Sequence, residues 1–303
     1  MSSSTSGRTA QTGDEVRSAL RSEIAADEAT ITARALRQAR NRKLKVNAGR
    51  AAVGVAVIGG WQLFAELKII DPFFFGEPTG IVSQLKDWVE HGTQFGSIWQ
   101  QIGVTMEEAL LGFVYGVLGG VVLGVLLGQV RFLADVIGPY IKIVNAIPRI
   151  VLGSIFFVWL GLGTPAKVLL ASVLVFFVVF FNAFQGVREV DQVFVNNARV
   201  LGASRMQIVR HVVLPSAITW ITASLHVAFG FAVIGAIVGE FLGAQQGLGL
   251  VISSAQNNFN PNGVFAAMLI IAVIALTAEG GISYLERRLL SWRPPAPSEA
   301  AGL

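Results

Sequence analysis

Six stretches of this sequence are apolar for long enough to cross a bilayer, and no other feature restricts the fold as strongly. A span takes about 20 predominantly apolar residues, because every backbone polar group inside hydrocarbon must be satisfied within the helix. The stretches cover about residues 51–67, 109–130, 136–160, 166–184, 217–242 and 264–285. The third contains Pro139 and Pro148, which predict a broken or kinked helix. Hydrophobic residues make up 53% of the 303 and charged residues 14%. A soluble domain of this length needs more polar surface to cover its core. The expected class is therefore all-α: a polytopic membrane protein with about six transmembrane helices.

The flanks are polar. Residues 1–50 form a basic tail, whose stretch 31–45 has the pattern of a surface helix crowded with Arg34, Arg37, Arg40, Arg42, Lys43 and Lys45. It reads as a solvated tail or as a lipid-binding arm, and both place it at the inner membrane face. Residues 1–13 lack the apolar core of a secretory signal. Residues 51–290 form the transmembrane domain, and residues 291–303 a short cytoplasmic tail. With the N-terminus inside, the outer loops carry only Lys68, Lys86 and Lys167 as basic residues, and the first is acidic through Asp71, Glu77, Asp87, Glu90, Glu107 and Glu108. Residues 243–263 carry no charge at all. This asymmetry predicts a multi-pass protein with both termini in the cytoplasm.

The second span carries Gly112, Gly116, Gly120, Gly124 and Gly128 in a four-residue step. Glycines in that register line one helix face and let another backbone approach closely. The face calls for a close helix neighbour, which a second copy of the chain could supply.

The stretch 185–215 is the one long polar connection. Residues 191–201 read as a short helix stopped by Gly202. Ser204 and Gln207 have the spacing of a capping box, so a second short helix starts there. Pro215 suits the first turn of the following span. Two helices meeting at a corner near Gly202 are suited to receiving a push from a soluble partner.

This loop carries a resemblance. Asn196-Asn197-Ala198, then Gly202, then Val212 to Leu214-Pro215 resemble the EAA loop of ABC importer permeases, with Asn196 in place of the family's Glu, Asn197 in place of its first Ala and Val212 in place of its Ile. Ile70-Asp71-Pro72, Pro148, Gly161-Leu162-Gly163, Lys167, residues 182–190, Gly239-Glu240, Gly247-Leu248-Gly249 and Leu285-Glu286-Arg287-Arg288 follow in the order of the nitrate/sulfonate/taurine/bicarbonate subfamily. The resemblance covers about residues 51–292. It implies the type I ABC importer permease fold. It implies a cytoplasmic ATP-binding cassette subunit that carries ATP and Mg and receives the segment 187–215. The coupling residues it marks are Asn196, Asn197, Ala198, Arg199, Gly202, Ala203, Ser204, Leu214 and Pro215. It also implies an extracytoplasmic substrate-binding protein, a second permease chain (a homodimer) and a small anionic cargo such as a sulfonate, taurine, nitrate or bicarbonate.

Acids inside a span are candidates for function, because an unpartnered carboxylate in hydrocarbon is costly. Glu240 lies near the outer end of the fifth span, where it is either solvated at the membrane edge or part of a pathway. Glu279 lies deeper, in the sixth, where it bonds a neighbouring helix or lines a pathway. Donors suited to an anion are Asn145, Gln245, Gln246, Asn257 and Arg149, whose length also lets it snorkel to the inner surface. His91, His211 and His226 have no metal-ligand spacing. With no cysteine, thiolate metal sites and disulfides are excluded. No phosphate-binding loop and no nucleophile–base constellation stand out, so neither ATP hydrolysis nor other catalysis is expected in this chain. Nothing indicates a nucleic acid partner. The alternative class is a secondary transporter or channel without an ATPase, which inverted internal repeats would favour. None is evident.

Overall fold

The computed structural model describes residues 38–289. Among them the chain is helical apart from turns and one isolated bridge between Thr93 and Gly96. It divides into two units, residues 1–69 and 70–303.

The first unit holds α1, Gln38–Glu66. This helix runs without a break from Arg40, Arg42, Lys43 and Lys45 into the first apolar stretch, so the basic end and the span are one helix. The rest of the expected N-terminal surface helix, with Arg34 and Arg37, lies outside the described residues. So does the C-terminal tail.

The second unit begins with two helices where the sequence suggested only an acidic loop. Helix α2 (Pro72–Phe75) is capped by Asp71, whose Oδ1 accepts a hydrogen bond from Phe73 N at 2.9 Å. Helix α3 (Pro78–Glu90) also starts on a proline, where the missing N–H costs nothing. Glu77 N donates to Asn262 Oδ1 at 2.9 Å, which ties the start of α3 to the start of α12 (Pro261–Leu289).

The centre of the unit is α4 (Ile98–Gln129), α7 (Thr164–Arg188) and α10 (Leu214–Gly243). The glycine face of α4 is closed by α7. A Cβ added at Gly120 would sit 2.9 Å from Val179 Cβ, one at Gly124 2.7 Å from Phe180 O, and one at Gly128 2.8 Å from Val187 Cβ. The neighbour that this face requires is thus in the same chain. The glycines are no argument for a second copy. Ala109, Val175, Val179, Ala228, Ala232 and Ala236 complete the core, small residues again setting a short helix–helix distance.

The third apolar stretch is two helices, α5 (Arg131–Ala146) and α6 (Arg149–Leu160), bent by 92° between them. Helix α5 runs through Pro139. The turn comes at Pro148, which holds Ile147 extended at φ −67°, ψ 130°. Five helices are long and apolar enough to cross a membrane, and six if the bent pair counts as one span.

The expected separate helix after Ser204 is not separate. Helix α9 (Arg205–Ile208) passes through a π-helical turn (Val209–Val213) directly into α10, giving one helix over Arg205–Gly243. The cause is Pro215. It cannot donate to a carbonyl one turn back, and its ring crowds that turn. Widening the turn by one residue, with Leu214 N bonded to Val209 O, relieves the crowding without ending the helix.

Candidate functional site

The corner is built from local rules. Helix α8 (Gln192–Val200) opens on Asp191, whose Oδ1 accepts from Val193 N at 2.8 Å. It closes in a Schellman motif: Ala203 N donates to Ala198 O and Gly202 N to Arg199 O, both at 3.0 Å. Gly202 has φ +81°, a conformation a residue with a Cβ adopts only with strain. Ser204 and Gln207 then form the expected capping box, with Ser204 N donating to Gln207 Oε1 at 2.7 Å and Gln207 N to Ser204 Oγ at 3.3 Å.

Val190, Val195 and Ile208 are buried beneath the corner, and Ala198 and Ala203 pack on them. Ala198 thus packs on the loop's own small core and also lines a hollow beside the tip. Asn196, Asn197, Arg199, Gly202 and Ser204 are exposed, with Arg199 Nη1 3.5 Å from Asn196 Oδ1. At the tip Val200 is 87% exposed, Leu201 86% and Met206 74%. Large apolar side chains this exposed on an otherwise polar loop are candidates for a contact surface. Beside them is the hollow, of about 340 Å³, bordered by Leu201, Gly202, Gln207 and His211. Leu214 and Pro215 lie past the π turn, in α10, away from the tip.

Glu240 is not solvated; it is 1% exposed. Its Oε1 accepts from Thr105 Oγ1 and its Oε2 from Gly249 N, each at 2.6 Å. Thr105 Oγ1 accepts from Leu248 N at 2.8 Å, and Gln101 Oε1 from Gly247 N at 2.7 Å. Three side chains thus satisfy the first N–H groups of α11 (Leu248–Asn257), a helix not evident in the sequence. The carboxylate also suits the positive end of the helix dipole. A Cβ at Gly247 or Gly249 would collide with Glu240, which accounts for the glycines flanking Leu248.

Lys167 and Glu108, expected in outer loops, are instead buried in α7 and α4, with Nζ 2.6 Å from Oε1. Apolar neighbours in sequence were the only sign. Glu279 does meet a neighbouring helix. His226 of α10 stands between two acids of α12, Nδ1 2.7 Å from Glu279 Oε1 and Nε2 3.0 Å from Glu286 Oε2. The sequence reading missed His226, whose only signal was its place inside an apolar run. Gln245 and Gln246 are exposed on the α10–α11 turn and Asn257 at the end of α11, while Asn145 is half-buried near the end of α5. Glu240 and Glu279 belong to two separate clusters. The side chain of Arg149 lies outside the described residues.

Residues 116–291, from the glycine face of α4 through the corner and α10 to the end of α12, match the family described as the binding-protein-dependent transport system inner membrane component. The chain belongs to this family. SsuC of Bacillus subtilis, named as an aliphatic sulfonates transport permease protein, is 30% identical over 237 residues, covering 78% of this chain and 84% of SsuC. The taurine transport system permease protein TauC of Escherichia coli is 29% identical over 253 residues, covering 83% of this chain and 91% of TauC. The inward-facing MetNI methionine ABC transporter shares the fold, with a TM-score of 0.54 at 18% identity over 63% of this chain and 97% of that chain. The chain is a permease subunit of an ABC transporter. In this family member the corner and the buried cluster around Glu240 stand at opposite ends of one helix, Arg205–Gly243.

Proposed function

We propose that this permease carries a small sulfonate-type anion inward by alternating access, driven by ATP and Mg at a separate cytoplasmic subunit that docks on the corner at Gly202. The observation that carries this reading is the exposed tip of Val200, Leu201 and Met206 on a corner fixed by a Schellman motif and a capping box. Apolar side chains held rigidly in water lose nothing on docking except their exposure. The helix from Arg205 to Gly243 continues without interruption. A displacement of the corner therefore passes directly into a span, and through Glu240 to α11 at the opposite end. The cargo class follows from the names of SsuC and TauC. An extracytoplasmic binding protein delivers the anion, a second copy of the chain completes the pathway, and both termini lie in the cytoplasm.

The test is co-expression with the ATP-binding subunit. Leu201→Asp changes a side chain that is 86% exposed, so it should insert normally. It should lose co-purification of the ATP-binding subunit and lose uptake. Normal co-purification with normal uptake would remove the corner from the coupling path.

A further inference from the structure

Helices α4, α5 and α7 leave a groove of about 440 Å³ between them. One wall is a ladder of rings on α7. Phe180 and Phe184 are stacked with centroids 6.0 Å apart, and Phe181 meets Phe180 edge-on at 5.3 Å. Lys142 of α5 and Arg188 of α7 also line it, both exposed and neither ion-paired among the described residues. The Arg188 guanidinium lies 5.2 Å over the Phe184 ring. Asp135 is the single acid of the lining.

Arg188 ends α7 shortly before α8, so it lies on the side of the molecule that bears the corner. From there the ring ladder runs about two turns back into the span, roughly 12 Å. A groove lined by two cations, with Arg188 at the end of an aromatic wall that leads back into the span, fits an amphiphile with an anionic head. A fully hydrophilic anion would leave the ring wall unused.

We propose that this groove holds an anionic phospholipid, with its phosphate on Lys142 and Arg188 and an acyl chain along Phe184, Phe181 and Phe180. Basic pockets between spans at the cytoplasmic face attract acidic headgroups. The assignment of that face rests on the permease reading, but the binding chemistry does not. The occupied groove would tie α5 to the central helices, against which it otherwise packs lightly.

The test uses the purified full-length chain in detergent. Retention of dioleoyl phosphatidylglycerol and of dioleoyl phosphatidylcholine is compared by native mass spectrometry. The wild type should retain the anionic lipid preferentially. Lys142→Gln with Arg188→Gln should weaken that retention by about tenfold or more. Asp135→Asn should strengthen it, a gain that misfolding cannot produce. Lys86→Gln, on the exposed face of α3, should change nothing. Equal retention of the two lipids, or no effect of the double substitution, would overturn the proposal. Displacement of the lipid by excess free alkanesulfonate would also overturn it, by assigning the groove to a soluble anion. None of these outcomes bears on co-purification with the ATP-binding subunit, which tests the permease reading separately.

Discussion

Lys167 without its partner, or Glu108 without Lys167, would be an uncompensated buried charge. Breaking such a pair from one side costs about 3–5 kcal/mol, whereas replacing both members with apolar groups is often close to neutral. Lys167→Met should therefore lower the thermal midpoint of the detergent-solubilised protein sharply. Adding Glu108→Leu should recover most of the loss, and an equal loss in the double variant would show that the pair is not coupled. Thr105→Val keeps the shape but removes a donor to Glu240 and the acceptor for Leu248 N. It should cost about 1–3 kcal/mol by leaving buried groups unpaired. Little of this was legible beforehand. Glu240 and Glu279 were recognisable as acids in apolar runs, but the side chains they meet lie far away in sequence, Thr105 by 135 positions. Only the folded chain reveals that one acid caps a helix and the other meets a histidine.

Elements were legible wherever their rule is local. The corner could be read from Gly202, Ser204 and Gln207 because a Schellman stop and a capping box each need only a few adjacent residues. Pro215 does lie in the first turn of α10, but the helix before it does not stop there, because inside a continuous helix proline forces a wider turn. Helices α3 and α11 were missed because each is too short to cross a membrane and both lie among polar residues. The glycine face of α4 was visible, but its neighbour was not. Substitutions along α4 should separate packing from propensity. Gly103 has open space at its Cβ position, so Gly103→Ala should stabilise by about 0.5–1 kcal/mol. Gly120→Ala meets Val179 and backbone atoms of α7 and should destabilise. Unfolding of the two variants in denaturant checks the opposite signs. At the corner, Gln207→Ala should cost only about 0.5–2 kcal/mol of local stability and leave coupling intact, read as normal uptake.

The whole molecule is governed by which side each loop faces. Basic residues crowd the N-terminal part and the segment from Arg188 to Arg210, while the α10–α11 turn carries none. The account places Gln192 in the cytoplasm and Gln246 outside. Single cysteines at these positions, in a chain with no native cysteine, should react oppositely with an impermeant thiol reagent added to intact cells. The central claim is that the exposed tip of the corner is where the energy-supplying subunit binds. A photo-crosslinking amino acid in place of Leu201 tests it most directly, in cells expressing the transporter. The account predicts a light-dependent adduct with the ATP-binding subunit, and none from the same probe at Gln246. A transport-competent protein that yields no such adduct at Leu201 would contradict it.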